Sequence, residues 1–280
     1  MKFILPFLLF FFLKESNSAP PIVQGIKVNI TEVPYQVALI NIDPKLQFCG
    51  GAFLKINFVI TAGHCVYQGE NEEPKKNFVI SGGSNTYGDG TATELKVLNV
   101  LLHPHYDHII SDYDVALVKI ENTPEFPKLQ NLVKLPVPYE EFKDGQLMLV
   151  SGWGGTQSIF EPKTELRAIR IPIYNQQKCE QAYDVIKTDI TNRMICVGYK
   201  KGIYGPCKGD SGGPLVDFNS RELVGIVSFG GMPCGNRMFP GVFTRVTSVH
   251  DWIVLIVEQF SDVANNTSTL SAALDKKSFK

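Results

Sequence analysis

Short apolar runs separated by turn-forming clusters fill most of the chain between Ile22 and Val246. Runs rich in branched and aromatic residues, bounded by glycine, proline, asparagine and aspartate, are typical of β-strands. The pattern predicts strands over residues 35–42, 58–61, 78–81, 115–120, 147–151, 223–228 and 242–246. Many short strands joined by glycine-rich turns predict an all-β fold, either a sandwich or a barrel.

One segment near the C-terminus has helical periodicity instead. Apolar residues recur there three and four positions apart, at Val249, Trp252, Ile253, Ile256, Val257 and Phe260. This spacing predicts an amphipathic helix, with Ser248 as a candidate N-cap. Residues 261–280 are mostly small and polar, and we expect them to form a flexible C-terminal tail.

Residues 1–18 have the features of a secretory signal peptide. Lys2 gives a positive start, residues 3–13 form an apolar run interrupted only by Pro6, and small residues follow at Ser16 and Ser18. The run is shorter than the roughly 20 residues that a membrane-spanning helix needs, which disfavours the alternative of an N-terminal membrane anchor. We therefore expect a secreted, extracellular protein.

Composition and charge exclude several classes of protein. Hydrophobic residues make up 44% of the chain and charged residues 20%, so the chain can bury a core and differs from a disordered protein. Because 27 basic residues nearly balance 28 acidic ones, we expect neither a nucleic acid nor a membrane as a partner. The length suits one large domain or two small ones.

All six cysteines follow the predicted signal peptide: Cys49, Cys65, Cys179, Cys196, Cys207 and Cys234. An even number in an exported protein predicts three disulfides, although six cysteines allow about fifteen pairings. No two of them are two to four residues apart, so we expect no zinc site and no other metal or cofactor. Asn29, Asn265 and Asn266 begin glycosylation sequons.

Three short segments carry residues suited to nucleophilic catalysis. His64 follows the strand predicted at residues 58–61, Asp114 directly precedes the one at 115–120, and Ser211 lies in a glycine-rich segment. A serine hydroxyl is a weak nucleophile at neutral pH and needs a neighbouring base. A carboxylate on the second nitrogen of a histidine fixes its tautomer and stabilises the imidazolium. Each segment alone is a weak signal.

Together and in this order, the segments resemble the trypsin/chymotrypsin family of secreted serine endopeptidases over residues 22–260. The order His, Asp, Ser along the chain is that of the chymotrypsin type. The motifs are Ile22-Val23-Gln24-Gly25, Cys49-Gly50-Gly51, Thr61-Ala62-Gly63-His64-Cys65, Asp114-Val115-Ala116-Leu117, Ser151-Gly152-Trp153-Gly154, Gly209-Asp210-Ser211-Gly212-Gly213-Pro214, Ser228-Phe229-Gly230 and Pro240-Gly241-Val242-Phe243-Thr244. The resemblance implies two packed six-stranded antiparallel β-barrels with a C-terminal helix.

The resemblance also assigns roles to single residues. It implies that Ser211 is the nucleophile, His64 the general base and Asp114 the orienting carboxylate, with the amides of Gly209 and Ser211 as the oxyanion hole. Asp112 is a rival for the carboxylate, but Asp114 directly precedes Val115 as the family motif requires. The implied disulfides are Cys49–Cys65, Cys179–Cys196 and Cys207–Cys234.

The substrate pocket implied by the resemblance departs from that of trypsins. Trypsins carry an aspartate six residues before the nucleophile, where this chain has Gly205. Gly230 and Gly241 occupy further pocket positions, with Pro206, Lys208, Ser228 and Phe229 also in the predicted lining. A neutral pocket walled by glycine predicts cleavage after Phe, Tyr, Leu or Met, because an arginine would be buried without a partner.

Activation is expected to follow the family pattern, with a freed amine at Ile22 pairing with the carboxylate of Asp210. The predicted propeptide, residues 19–21, ends in proline instead of the usual basic residue, so trypsin cannot make the cut. The resemblance predicts a monomeric endopeptidase that acts on proteins or peptides and meets protein inhibitors. Alternatives are an inactive protease homologue acting as a binding protein, and an elastase- or collagenase-like enzyme of broad specificity.

Overall fold

The computed structural model describes residue 22 and residues 25–55, 57–122, 132–155 and 164–275, with only the helical backbone defined for residues 261–275. The predicted signal peptide and propeptide, at residues 1–21, lie outside the described residues, and so does the end of the predicted tail at residues 276–280. None of the helices in the described part of the chain is long and apolar enough to span a membrane.

The first half of the chain forms a closed antiparallel barrel of six strands. The strands are β2 (Gln36–Asn41), β3 (Gln47–Lys55), β4 (Phe58–Thr61), β5 (Phe78–Gly82), β6 (Thr93–Leu102) and β7 (Ala116–Ile120). Their order around the barrel is β2-β3-β4-β7-β6-β5, and every neighbouring pair is antiparallel.

The second half forms a seven-stranded antiparallel sheet in the order β1-β9-β8-β11-β12-β13-β10. An isolated bridge joins Ile173, just after β9, to Val197 of β10. It brings together the first and last strands of the row of six that runs from β9 to β10. Strand β1 pairs with the edge of β9 that faces away from β8. The strands are β1 (Ile26–Lys27), β8 (Leu147–Gly152), β9 (Arg167–Pro172), β10 (Met194–Val197), β11 (Pro214–Asp217), β12 (Leu223–Phe229) and β13 (Gly241–Arg245). The fold is the one that the sequence predicts.

Among the described residues, two α-helices flank the sheets: α1 (Gln176–Asp184) and α2 (Val246–Asp275). Helix α1 begins at an N-cap, Asn175, whose side-chain oxygen accepts a hydrogen bond from the amide of Lys178. The apolar spacing does not predict α1, because this helix buries only Cys179 and Tyr183.

Helix α2 differs from its prediction at both ends. It begins at Val246, so Ser248 lies within its first turn and is not the N-cap. It also continues beyond Phe260 to Asp275. Val249, Ile253 and Val257 are buried in the core of the first barrel, as their spacing predicts.

The two halves meet along a hydrogen-bonded seam that positions the candidate site. The buried hydroxyl of Ser151 on β8 donates to the side-chain oxygen of Gln36 on β2, at 2.6 Å. The amide of Gly50 on β3 donates to the carbonyl oxygen of Ser211 at 2.7 Å. The segment that carries Ser211 is therefore fixed against the first barrel, which carries His64 and Asp114.

Candidate active site

His64 and Asp114 lie at the ends of two paired strands in the first barrel. His64 belongs to the single 3₁₀ turn Gly63–Cys65 that follows β4, and Asp114 lies two residues before β7, which pairs with β4. The carboxylate accepts hydrogen bonds from the ring nitrogen Nδ1 and from the backbone amide of His64, both at 2.8 Å. These two contacts fix both the backbone and the ring of the histidine.

Asp114 is fully buried, and the second half of the chain holds it in place. The Ser228 hydroxyl donates to the same carboxylate oxygen that contacts the ring of His64. The Thr244 hydroxyl donates to the Asp114 carbonyl at 2.7 Å. A buried carboxylate is tolerated when several donors bind it, and the carboxylate of Asp114 has three such donors, two from His64 and one from Ser228.

The environment of His64 favours a protonated ring more than water does. Burial alone disfavours the charged form, but the hydrogen bond and the negative charge of Asp114 outweigh it and raise the pKa of His64 above its ordinary value. The side chain remains 32% exposed on the cleft side. A histidine of this kind can accept a proton and stabilise the resulting imidazolium.

Asp112, the rival carboxylate, faces away from His64. It forms an ion pair with Arg193 and accepts a hydrogen bond from the hydroxyl of Thr191 at 3.0 Å. Burial alone would raise the pKa of Asp112, but these hydrogen bonds lower it below the ordinary range. Asp112 therefore links the loop before β7 to the segment before β10, and Asp114 is the carboxylate at His64.

The loop that carries Ser211 exposes two backbone amides. The amides of Gly209 and Ser211 have no hydrogen-bond acceptor in the part of the chain that the structure describes. Gly209 and Gly212 have φ angles of +100° and +78°, in the left-handed region that favours glycine. A side chain at Gly212 would clash with Thr61, which explains why this turn needs glycine.

The hydroxyl of Ser211 forms no hydrogen bond with His64 among the described residues. The structure places Ser211 on the wall of a cavity and His64 on the facing barrel. Hydrogen bonds between a nucleophile and its base are often long in enzymes without substrate and shorten when substrate binds.

Asp210 is fully buried beside Ser211. Its carboxylate accepts the amides of Gly154 at 2.8 Å and Cys207 at 2.9 Å. Burial raises the pKa of Asp210 to about 6, although these two hydrogen bonds oppose the rise. Ile22, the predicted partner, is also buried but packs in the core of the second sheet, and in the uncut chain it has no free amine.

A cavity of about 230 Å³ opens next to Ser211. All seven residues predicted for the substrate pocket line it: Gly205, Pro206, Lys208, Ser228, Phe229, Gly230 and Gly241. Lys208 is its one charged lining residue, and no carboxylate lines it among the described residues. The lining therefore carries no negative charge that could pair with a basic side chain, and its surface is part polar and part apolar. Several further lining residues lie outside the segments that the motifs indicate: Val197, Tyr199, Met232, Asn236 and Phe239.

Comparison with known proteins identifies the family. The family model described as Trypsin matches residues 22–253. The chain belongs to the trypsin family of serine proteases. It is 41% identical to "Trypsin 5G1" of Aedes aegypti over 237 residues, which cover 85% of each chain. It is 33% identical to "Trypsin" of Phaedon cochleariae, over 85% of this chain and 89% of that protein.

A third relative, "Trypsin-1" of Astacus astacus, is 31% identical over 83% of this chain and 98% of its own length. The match to the trypsin family extends over both sheets, including the segments of His64, Asp114 and Ser211. The family assignment therefore confirms the resemblance that the sequence motifs carry, and it implies protein substrates.

Three disulfides join the cysteine pairs that the resemblance to the trypsin family implies. Cys49–Cys65 ties β3 to the histidine turn, and Cys207–Cys234 ties the loop that carries Ser211 to another part of the cavity wall. Cys179–Cys196 joins α1 to β10. Two of the three disulfides therefore brace the site itself, and all three are consistent with an oxidising, extracellular environment.

The sequence predicts Ser228 as a pocket residue and contains Thr244 in a family motif, but it does not predict either of them as a donor to Asp114. Their contacts join positions 114 and 130 residues apart, and no local pattern predicts them. The side chain of Asn29 is exposed and accepts hydrogen bonds from the backbone and hydroxyl of Thr31. The side chains of Asn265 and Asn266 lie outside the described residues.

Proposed function

We propose that this protein is a secreted serine endopeptidase that uses Ser211, His64 and Asp114 and cleaves after large apolar or aromatic residues. The observation that carries the proposal is the double contact between Asp114 and His64, next to a cavity that has Ser211 on its wall and no carboxylate among its described lining residues. Membership of the trypsin family supports the reaction class, and the cavity lining supports the specificity.

The reaction begins when the hydroxyl oxygen of Ser211 attacks the carbonyl carbon of the scissile bond. His64 takes the hydroxyl proton on Nε2, while Asp114 holds the opposite nitrogen, and then gives that proton to the leaving amine. The acyl-enzyme is hydrolysed by a water molecule that His64 deprotonates in the same way. The substrate brings Ser211 and His64 into hydrogen-bond contact.

The free amides of Gly209 and Ser211 support a role as the oxyanion hole. Negative charge develops on the carbonyl oxygen in both steps, and preorganised backbone donors stabilise it. Amides that already have protein acceptors could not do this, whereas these two have none among the described residues. Losing one such donor typically lowers turnover by about 10²–10³.

The pocket lining supports a preference for apolar residues. Gly205 lies where trypsins, by the family resemblance, carry the aspartate that binds basic side chains, and no carboxylate replaces it among the described lining residues. Lys208 adds a positive charge, which disfavours a basic substrate residue further. Burying a large apolar side chain contributes about 1.5–3 kcal/mol.

Secretion and activation complete the proposal. Signal cleavage after residue 18 and removal of residues 19–21 would free the amine of Ile22, which would pair with the buried carboxylate of Asp210. Burial makes this carboxylate costly to ionise in the uncut chain. A positive amine beside it would offset that cost, so the pairing should be strong. Mass analysis of the active fraction should give a chain starting at Ile22, and full activity from a chain starting at Ala19 would exclude this switch.

We propose that the mature enzyme is a monomer and is open to protein inhibitors.

Labelling with a fluorophosphonate, which forms a bond only with an activated serine, tests the proposed nucleophile. The mature protein should be labelled and should hydrolyse a peptide substrate, whereas Ser211→Ala should lose labelling and about 10⁴–10⁶ of its turnover. The neighbouring variant Ser220→Ala, on an exposed turn, is the matched control and should behave as the parent does. Labelling that persists in Ser211→Ala would assign the nucleophile elsewhere, and no labelling of the mature parent would favour an inactive homologue.

A further inference from the structure

The backbone on both sides of Gly209 is held by groups outside the nucleophile loop. The amide of Gly155, after β8, donates to the carbonyl of Lys208 at 2.7 Å. The side-chain amide of Gln47, the first residue of β3, donates to the carbonyl of Gly209 at 2.9 Å. One partner thus comes from each half of the fold, and each fixes one of the two peptide planes that meet at Gly209.

Of the two donors that hold the backbone at Gly209, Gln47 is the one that uses its side chain. Its nitrogen Nε2 carries two hydrogens, and it has two acceptors, the carbonyls of Gly209 at 2.9 Å and Cys49 at 3.3 Å. Cys49 is itself fixed by β3 and by its disulfide to Cys65. The amide of Gln47 therefore has a rigid support on one side and the nucleophile loop on the other.

Gly209 needs such support because glycine has the most freely rotating backbone of all residues. Its φ of +100° is open to few other residues, and glycine crosses between such conformations at little cost. The same residue carries one of the two free amides at the nucleophile. The amide of Gly209 lies in the peptide plane before it, which Gly155 holds, and Gln47 holds the plane after it, so the two contacts together fix both backbone angles at Gly209.

We propose that Gln47 is a positioning residue, which acts together with the Gly155 contact to fix the backbone of Gly209, so that the Gly209 amide keeps the direction needed to bind the oxyanion. This inference rests on the proposed function and adds a residue to it that no motif indicates. Gln47 does not line the cavity beside Ser211. Its loss should therefore weaken binding of the transition state and leave binding of the substrate side chain unchanged.

The first experiment compares kcat and KM for three variants on a peptide amide substrate. Gln47→Ala removes the hydrogen bond and should lower kcat by roughly 5- to 30-fold with KM within twofold, less than the loss of a whole oxyanion donor. Gln47→Glu keeps the size but places an acceptor against the Gly209 carbonyl, so its loss should be at least as large. Gln47→Lys restores a donor of similar reach and should recover part of kcat.

Gln68→Ala is the matched control. Gln68 also donates a side-chain hydrogen bond to a backbone carbonyl, that of Glu73 at 2.7 Å, but it does so in an exposed loop. The same truncation there should leave kcat and KM unchanged. A loss of kcat at Gln68→Ala equal to that at Gln47→Ala would show a general effect of the truncation and overturn the proposal.

A second readout separates positioning from a merely structural role. A peptidyl boronic acid forms a tetrahedral adduct with the serine, so its affinity should fall in parallel with kcat/KM across the Gln47 variants. Unchanged boronate affinity, or a rise in KM at constant kcat, would overturn the proposal. If Gln47→Ala does not fold, the comparison of Gln47→Glu with Gln47→Lys decides, since equal kcat values in these two variants would contradict the proposed role of Gln47.

The Ser211→Ala variant separates this test from the test of the proposed function. An active Ser211→Ala refutes the proposed function, whereas an inactive one together with a fully active Gln47→Ala refutes only the role of Gln47.

Discussion

The carboxylate of Asp114 contacts His64 twice, through the ring nitrogen Nδ1 and through the backbone amide, both at 2.8 Å. The first contact fixes the tautomer in which Nε2 carries no hydrogen and can accept a proton, and the second fixes the turn that carries the ring. Asp112, two residues earlier, instead pairs with Arg193. The two aspartates thus have separable roles.

Asp114→Asn should lower kcat by about 10⁴, because the neutral amide no longer holds the catalytic tautomer or stabilises the imidazolium. Asp112→Asn is the matched control and should keep kcat within a few-fold while lowering the melting temperature, since it weakens a partly buried ion pair. Steady-state kinetics and thermal unfolding of both variants check this. Comparable losses of kcat in the two variants would contradict the assignment of Asp114.

The pH dependence of activity follows from the raised pKa of His64. The base must be neutral, so activity is present above this pKa and lost as pH falls through it. We expect the acidic limb of kcat/KM to lie above pH ~6.5, the ordinary value for histidine, and to shift to lower pH in the residual activity of Asp114→Asn. A pH profile from 5 to 9 with an uncharged substrate measures both, and a limb that does not move would argue against coupling between the two residues.

Asp210 should make the uncut chain less stable as pH rises. Its folded-state pKa of about 6 lies above the ordinary value, so the folded chain binds this proton more tightly than the unfolded chain does. This contribution to the free energy of unfolding is present below pH ~4 and is lost as pH rises through about 6. The loss amounts to about 3 kcal/mol. Urea unfolding of uncut Ser211→Ala at pH 4 and 7.5, with and without Asp210→Asn, measures it. The Asn variant should lose less stability between the two pH values, and parallel behaviour would contradict the buried-carboxylate account.

Gly205→Asp should move specificity towards basic residues. A Cβ at Gly205 would lie 3.4 Å from the nearest backbone atom, an ordinary contact distance, so the backbone does not exclude a residue with a side chain here. The ratio of kcat/KM for Arg over Phe substrates should rise at least about tenfold, because the new carboxylate partners the buried charge. Gly205→Asn has the same size without the charge and should leave the ratio near its parent value. An equal rise in both variants would show that shape, not charge, controls this pocket.

The predictability of the fold from sequence depended on how each strand is buried. Strand β4 was predicted with its observed bounds because all four of its residues are buried and apolar or β-branched. Strand β6 was missed because only Leu95 and Val100 among its ten residues are buried, so charged and polar residues interrupt the apolar pattern. Helix α2 begins earlier than its apolar spacing indicates, since Val246 directly continues strand β13.

The site was predictable where function lies in short motifs and unpredictable where it depends on distant contacts. His64, Asp114, Ser211 and the pocket residues lie in recognisable segments. The contact between Gln47 and Gly209 joins residues 162 positions apart and arises only when the two barrels pack together. Such contacts depend on the three-dimensional register of the strands, which residue patterns do not specify.

The most direct test of the central claim is a peptide-library cleavage profile of the mature protein that begins at Ile22, with Ser211→Ala as the blank. The account predicts cleavage after Phe, Tyr, Leu and Met that exceeds cleavage after Arg and Lys by at least about a hundredfold, and that disappears in the blank. A preference for Arg and Lys would contradict the neutral pocket built around Gly205, and cleavage that persists in the blank would contradict the role of Ser211.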